Sequence, residues 1–181
     1  MVAAVFEALI AYLNELGGMF RLGWETLSSG LRRPFEIDLW LAQMYQLGVR
    51  SLTITNVTLL FTGMVLAIQT AYSLAAYGGK PFVGDILALS IVRELGPVLT
   101  ALMVAGRVGA GVTAEIGSMA VTEQVDALRA LAASPVKKLV VPRVGALVIM
   151  LPILTILADT IGLFGGMLMA IFEIGQSRAY Y

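Results

Sequence analysis

Charged side chains occur inside stretches that are otherwise apolar enough to cross a membrane. They are Arg93, Glu94, Arg107, Glu115 and Asp159. A charge in hydrocarbon is costly, so by default it marks a functional pathway or a paired structural site. Arg107 and Glu115 lie about two helical turns apart, too far to pair on one helix. They therefore need partners on other helices, in a second copy or in water, and we interpret both as buried ion-pair members that hold a bundle together.

The pair Arg93-Glu94 is better suited to a functional role. It precedes Gly96-Pro97, and a proline inside a helix removes a backbone donor and favours a kink or break. A kinked helix near a wet mouth can line a cavity. Asp159 has two open interpretations: it pairs with Arg107, or it lies near a polar pore.

Composition excludes most other functional classes. Hydrophobic residues make up 59% of the 181 residues and charged residues only 13%, whereas a soluble domain carries about 25% charged residues. Lys+Arg and Asp+Glu both number 12, which gives no argument for nucleic acid as a partner. Cys and His are both absent, so thiolate nucleophiles, the commonest metal ligands and the usual general base are missing. We expect a polytopic membrane protein that is not an enzyme and holds no metal.

The pattern predicts an all-α membrane bundle with three spans, at about 51–77, 86–121 and 139–172. Residues 1–38 are predicted to form an amphipathic helix lying in the interface, followed by a polar link around Arg32-Arg33-Pro34, and 39–181 to form the membrane domain. Positive residues cluster before span 1 and between spans 2 and 3. The positive-inside rule therefore places the N-terminus and the segment between spans 2 and 3 in the cytoplasm.

Two features of span 2 and its end concern packing and docking. Small residues recur at spacing four in span 2, among them Gly106, Gly109 and Gly117, which favours a close helix interface within one protomer or between two copies. Residues 122–133 read as a short amphipathic helix closed by Pro135. This helix is either an ordered loop or a docking element for a soluble partner. Its candidate contact residues are Glu123, Gln124, Val125, Asp126, Leu128, Arg129 and Leu131.

Several short motifs occur in a specific order. They are Arg93-Glu94-Leu95-Gly96-Pro97, Ala105-Gly106-Arg107, Thr113-Ala114-Glu115-Ile116-Gly117, Thr122-Glu123-Gln124 and Pro142-Arg143. In this combination, over roughly residues 40–175, the sequence resembles the MlaE/YrbE permease family, the membrane subunits of ABC transporters that work with MCE-domain lipid carriers. The segment Phe61-Thr62-Gly63-Met64-Val65-Leu66 resembles the family as well.

The resemblance implies a permease homodimer in the bacterial inner membrane that moves phospholipid to or from a periplasmic MCE-domain protein. Two separate ATPase subunits would use ATP and Mg²⁺, and this chain would bind no cofactor. The resemblance makes the helix 122–133 a coupling helix seated on the ATPase. It places an outward-opening lipid cavity at the dimer interface, lined by Leu66, Leu74, Tyr77, Arg93, Glu94 and Leu95. It also implies two further membrane helices after span 3, so that the chain would be truncated at its C-terminus.

Two alternatives from other functional classes remain open. The charges in the spans would also suit a relay in an ion- or proton-coupled carrier, and the bundle would also suit a structural membrane scaffold. The chain lacks a phosphate-binding loop motif. This agrees equally with a permease driven by a separate ATPase, with an ion-coupled carrier and with a scaffold. The short helix predicted on the cytoplasmic side favours the ATP-driven permease.

Overall fold

The computed structural model describes residues 2–30, 37–75, 77–173 and 175. Every regular element among them is helical, which confirms the all-α prediction. The α-helices are α1 (Val2–Gly30), α2 (Ile37–Gln43), α3 (Leu52–Ala75), α4 (Val83–Ser90), α5 (Gly96–Val121), α6 (Gln124–Ala130) and α7 (Val141–Phe172). The predicted link at Arg32-Arg33-Pro34 lies outside the described residues.

Short π and 3₁₀ turns join these helices into three continuous membrane-length rods. The rods are Ile37–Ala75, Val83–Val121 and Val136–Phe172. At about 1.5 Å per residue, the 39 residues of the first rod extend about 58 Å, roughly twice the hydrocarbon thickness of a bilayer. The three predicted spans are confirmed as three helices that are long and apolar enough to cross a membrane. The first of these helices begins at Ile37, whereas the first span was predicted to begin at Ser51.

Two of the π turns directly precede a proline at the start of an α-helix. Ile91–Leu95 comes before Gly96-Pro97, and Val136–Val140 comes before Pro142. Pro97 has no N–H to donate, and the wider turn lets the Gly96 N–H bond to the carbonyl oxygen of Ile91. We predicted a kink or break at Gly96-Pro97. The chain stays helical there through the π turn, so no break occurs. The kink stays a prediction.

The first and third rods run in the same direction and pack along much of their length. Gly48 lies against Met150, and Gly63 lies against the carbonyl oxygen of Gly162. The face of α3 in this contact carries small or medium side chains at spacing four: Thr55, Leu59, Gly63, Ala67 and Ala71, all buried. Small residues let helix backbones approach closely in lipid, where packing rather than hydrophobic burial drives association.

The second rod runs antiparallel to the other two and completes the bundle. Two apolar clusters fill the space between the rods. One contains Leu59, Ala67, Leu87, Ile91 and Ala158. The other contains Leu47, Val104, Val108 and Leu154. Both clusters draw residues from all three rods, so each rod depends on the other two for its buried face.

Helix α1 lies beside this bundle and contacts it through its C-terminal half. Thr26 is buried, and a Cβ added at Gly30 would lie 3.6 Å from Cγ1 of Val141. Most other side chains described on α1 are exposed, and α1 is not among the three helices apolar enough to cross a membrane. Its predicted place in the membrane interface stays a prediction.

The close contact between Gly63 and Gly162 gives a sharp test of the bundle. A Cβ at Gly63 would overlap the carbonyl oxygen of Gly162, so Gly63→Ala should destabilise the protein by about 2 kcal/mol through overpacking. Gly111→Ala is the matched control on a helix of the same kind, because a Cβ there meets nothing within 4 Å. The control should be neutral or slightly stabilising. Thermal unfolding midpoints in detergent measure both, and equal midpoints would contradict the contact.

Candidate functional site

The short helix α6 stands at the end of the bundle where the second rod ends and the third begins. It covers Gln124–Ala130, shorter than the predicted 122–133, because Glu123 and Ala132 adopt left-handed backbone conformations with φ of 58° and 55°. We interpreted Glu123 as favouring the helix start; it makes no side-chain capping hydrogen bond. These two turns separate α6 sharply from the rods on either side.

The faces of α6 differ in exposure. Val125 and Leu128 are half-buried, and α6 packs against α5. Leu131, just beyond the helix, is 78% exposed. Asp126 and Arg129 form an ion pair at 2.8 Å on the exposed side, while Glu123 and Gln124 are exposed as well. The element therefore presents an apolar side chain beside charged ones, as a docking element requires.

Glu115 on α5 pairs with Arg143 on α7. The carboxylate oxygen Oε1 lies 2.7 Å from Nη2, with the Arg143 side chain 6% exposed and the Glu115 side chain 37% exposed. The prediction that Glu115 needs a partner on another helix is confirmed. Because Nε and Nη1 of Arg143 have no hydrogen-bond partner among the described residues, Glu115 is what balances this buried guanidinium.

Arg107 also has a partner on another helix, but a neutral one. Its Nη1 donates to the hydroxyl of Ser51 at 2.6 Å, and that hydroxyl donates to the carbonyl oxygen of Leu47 at 2.6 Å. Ser51 is fully buried, whereas Arg107 is exposed. Within the described part of one copy, Arg107 therefore forms no buried ion pair. An ion pair with a second copy stays a prediction.

Of Arg107, Glu115 and Asp159, only Asp159 has a buried side chain. It is 8% exposed, and its carboxylate lies against Gly96, where a Cβ would overlap it. Of its two interpretations, pairing with Arg107 is not what the structure shows, since Arg107 is bonded to Ser51 and lies about 16 Å further along α5 than Gly96. Because Gly96 has no side chain, the Asp159 carboxylate can lie directly against the backbone of α5.

The six residues predicted to line a lipid cavity lie in three places. Arg93, Glu94 and Leu95 are in the π turn before α5, with both charged side chains exposed. Leu66 packs against the apolar cluster that contains Leu59 and Ile91. Leu74 and Tyr77 lie at the opposite end of the first rod from α6, and Tyr77 is 86% exposed. A shared cavity for the six stays a prediction.

Gly106, Gly109 and Gly117 form an open stripe on α5. A Cβ at any of them would meet nothing within 4 Å among the described residues. The close interface predicted for these glycines is therefore not formed inside the described part of this protomer. An interface with a second copy stays a prediction.

An apolar groove of about 470 Å³ runs between α1, α5 and α7. Its walls carry aliphatic side chains, among them Leu22, Val108 and Leu147, and the one charged residue in its wall is Arg143. None of the six predicted cavity residues lines it. The groove is a feature that the sequence did not suggest, because it depends on how the end of α1 lies across the other two helices.

Comparison with known proteins decides the family. The sequence matches the family described as Permease MlaE over residues 40–181. The chain is a member of the MlaE permease family. A probable ABC transporter permease protein of Rickettsia felis is 38% identical over 178 residues, which cover 98% of this chain and 69% of the relative.

Two further relatives of this MlaE-family permease come from other lineages. The intermembrane phospholipid transport system permease protein MlaE of Haemophilus influenzae is 40% identical over 94% of this chain and 65% of its own length. The chloroplastic protein TRIGALACTOSYLDIACYLGLYCEROL 1 of Arabidopsis thaliana is 40% identical over 72% of this chain and 37% of its own length. The chain thus spans about two thirds of the length of the matched bacterial relatives.

Sequence reasoning on this MlaE-family permease missed two partner residues. Ser51 was interpreted only as the start of a span, and Arg143 only as part of a motif and of the positive cluster. A signal for Arg143 was present, since a lone arginine inside an apolar run needs an acid nearby. Ser51 carried no signal, because serine is common in membrane helices and bonds back to its own backbone.

Proposed function

We propose that this chain is the membrane permease of an ABC transporter that moves phospholipid between the bacterial inner membrane and a periplasmic MCE-domain carrier. The observation that carries the proposal is α6 in a member of this family: a short helix with an exposed apolar residue, set between two membrane-length rods. The name of the Haemophilus influenzae relative supports phospholipid as the substrate.

In this proposal α6 and its flanking residues form the coupling helix. Glu123, Gln124 and the Asp126–Arg129 pair present polar groups to a separate ATPase, and Leu131 enters an apolar groove on it. The ATPase binds ATP and Mg²⁺ and changes shape, and α6 transmits the change to α5 and α7. Two permease copies pack through the open glycine stripe on α5, which suits a close helix contact.

The proposal includes the orientation of the bundle in the membrane. Positive side chains lie in and just after α6, including Arg129, Lys137 and Arg143. The positive-inside rule supports a cytoplasmic place for this end and for α1. The turn containing Tyr77 then faces the periplasm, on the side where lipid would pass to the carrier. Acyl chains contact Leu66, Leu74 and Leu95, and the exposed Arg93 and Glu94 receive the headgroup.

Purification from native membranes tests the proposal as a whole. The tagged permease should retain an ABC ATPase, an MCE-domain protein and phospholipid, identified by mass spectrometry of proteins and lipids. Absence of the ATPase would contradict the driven mechanism. Transport that stops when the proton gradient is collapsed, with ATP still present, would favour the ion-coupled carrier instead.

Neutralising the headgroup contacts should reduce transport without unfolding the permease. Arg93→Gln and Glu94→Gln replace exposed side chains, so the bundle should keep its stability. A lost charged hydrogen bond corresponds to about a tenfold or greater fall in lipid transport rate. Asp85→Asn, an exposed acid on α4, is the matched control and should transport like the parent. Normal lipid transport by both test variants would show that Arg93 and Glu94 do not contact the transported lipid.

A further inference from the structure

Asp159 lies deep in the bundle without a partner for one of its oxygens. It is about 20 Å from the end of α7 at Phe172, inside a rod that is long and apolar enough to cross a membrane. Its Oδ1 is enclosed by the protein, and no described residue donates a hydrogen bond to it. A buried polar atom without a partner costs free energy, and a buried unpaired charge costs much more. Something other than a described side chain must balance this carboxylate.

A second enclosed oxygen without a partner lies one helical turn away. Thr100 is fully buried, and its hydroxyl makes no hydrogen bond among the described residues. It shares the face of α5 that contains Gly96, against which Asp159 packs. Other hydroxyls in the rods behave differently: those of Thr55 and Thr155 bond to the carbonyl four residues earlier. The Thr100 hydroxyl thus remains available for a ligand.

A third unpaired oxygen lies on α3. The side-chain Oδ1 of Asn56 on α3 is buried and has no partner among the described residues, and α3 packs along α7. Carboxylate, hydroxyl and amide oxygens are the ligands that hard cations prefer. Each of three mutually packed helices therefore offers an oxygen without a hydrogen bond.

The charged groups on the neighbouring elements do not neutralise Asp159. No charged residue occurs in α3. On α4 and the π turn, Asp85, Arg93 and Glu94 are all exposed. On α5, Arg107 bonds to Ser51, and Glu115 pairs with Arg143. The enclosed Oδ1 of Asp159 therefore has no charged partner among the described residues.

We propose that Asp159 and the hydroxyl of Thr100 bind a small monovalent cation, the proton or an alkali metal ion, between α5 and α7. The cation balances the carboxylate and stabilises the packing of Asp159 against Gly96, where the π turn joins α5. The site lies directly after Leu95, at Gly96, but it does not depend on the identity of the transported molecule.

Thermal unfolding of the purified permease complex in detergent tests the site in two series. One series replaces choline chloride with sodium chloride at constant pH and ionic strength. The other lowers the pH in choline chloride alone. A cation that binds the folded state better than the unfolded state raises the midpoint as its concentration rises, so a bound proton raises it as pH falls. We expect the parent to respond in one series.

Matched variants assign the response to this site. Asp159→Asn keeps the shape of the side chain and should abolish the response, and Thr100→Val should weaken it. Asp85→Asn, which removes an exposed carboxylate from α4, should respond like the parent. If the sodium series responds, the ligand is an alkali ion. If the pH series responds, and an infrared band of a protonated carboxyl is lost in Asp159→Asn, the ligand is a proton.

Two results would overturn the site. One is a parent whose midpoint does not change in either series, with Thr100→Val as stable as or more stable than the parent, as expected for an unused buried hydroxyl. The other is an Asp159→Asn variant that keeps the full response of the parent. Either result would leave the proposed lipid permease function untouched, because that function is tested by co-purification and transport.

Discussion

Replacing Glu115 with Ala is expected to destabilise the permease by about 3 kcal/mol, because it leaves the buried guanidinium of Arg143 unbalanced. The estimate takes the low end of the range for broken buried pairs, since the Glu115 side chain is 37% exposed. No described residue accepts a hydrogen bond from Nε or Nη1 of Arg143. The measurement is the unfolding midpoint of the purified variant by denaturant titration in detergent.

The exposed ion pair of α6 provides the matched control. Asp126→Ala removes an acid that also lies at short range from an arginine, but both side chains are about two-thirds exposed, so its cost should stay within about 1 kcal/mol. A double variant, Glu115→Leu with Arg143→Leu, should recover much of the lost stability, since replacing both partners of a buried pair is often neutral. A double variant as unstable as the sum of the two single variants would contradict a coupled pair.

Leu131→Asp should abolish binding of the ATPase while the permease stays folded. The side chain is 78% exposed in the permease, so a charge there costs the isolated protein little. In the proposed complex it would be buried in an apolar groove, where an unpaired carboxylate is strongly unfavourable. Co-purification of the ATPase with the tagged permease, and ATP-driven lipid transport, should both be lost.

The matched control is Leu131→Met, which keeps an apolar side chain of similar volume and should bind the ATPase normally. Leu128→Asp should also lose the ATPase, but Leu128 is half-buried, so this variant could act by detaching α6 from α5. Normal ATPase binding by Leu131→Asp, with the midpoint of the parent, would remove this side chain from the interface.

The sequence predicted features that follow from composition and local pattern. Three apolar runs predicted three spans, and the apolar spacing of Val125 and Leu128 predicted a short helix between two of them. The separation of Arg107 and Glu115 predicted partners on other helices, and both have them. Each of these features depends on residues near one another in the chain.

Features that depend on how the helices meet were not predicted. Whether Arg107 or Asp159 is the buried charge depends on helix rotation, and the neutral partner Ser51 could not be told from other serines. The break expected at Gly96-Pro97 is absent, because a π turn, in which the Gly96 N–H bonds to the carbonyl oxygen of Ile91, continues the helix. The helix from Ile37 to Gly48 was missed, since its pairing with α7, through contacts such as Gly48 with Met150, gives no local pattern.

Reconstitution tests the central claim most directly. The permease complex, purified from native membranes with its ATPase and placed in vesicles, should move fluorescent or isotopically labelled phospholipid when Mg²⁺ and ATP are supplied. Movement should stop without ATP and continue when the proton gradient is collapsed. Lipid movement that is independent of ATP, or no movement by a complex whose ATPase is active, would contradict an ATP-driven phospholipid permease.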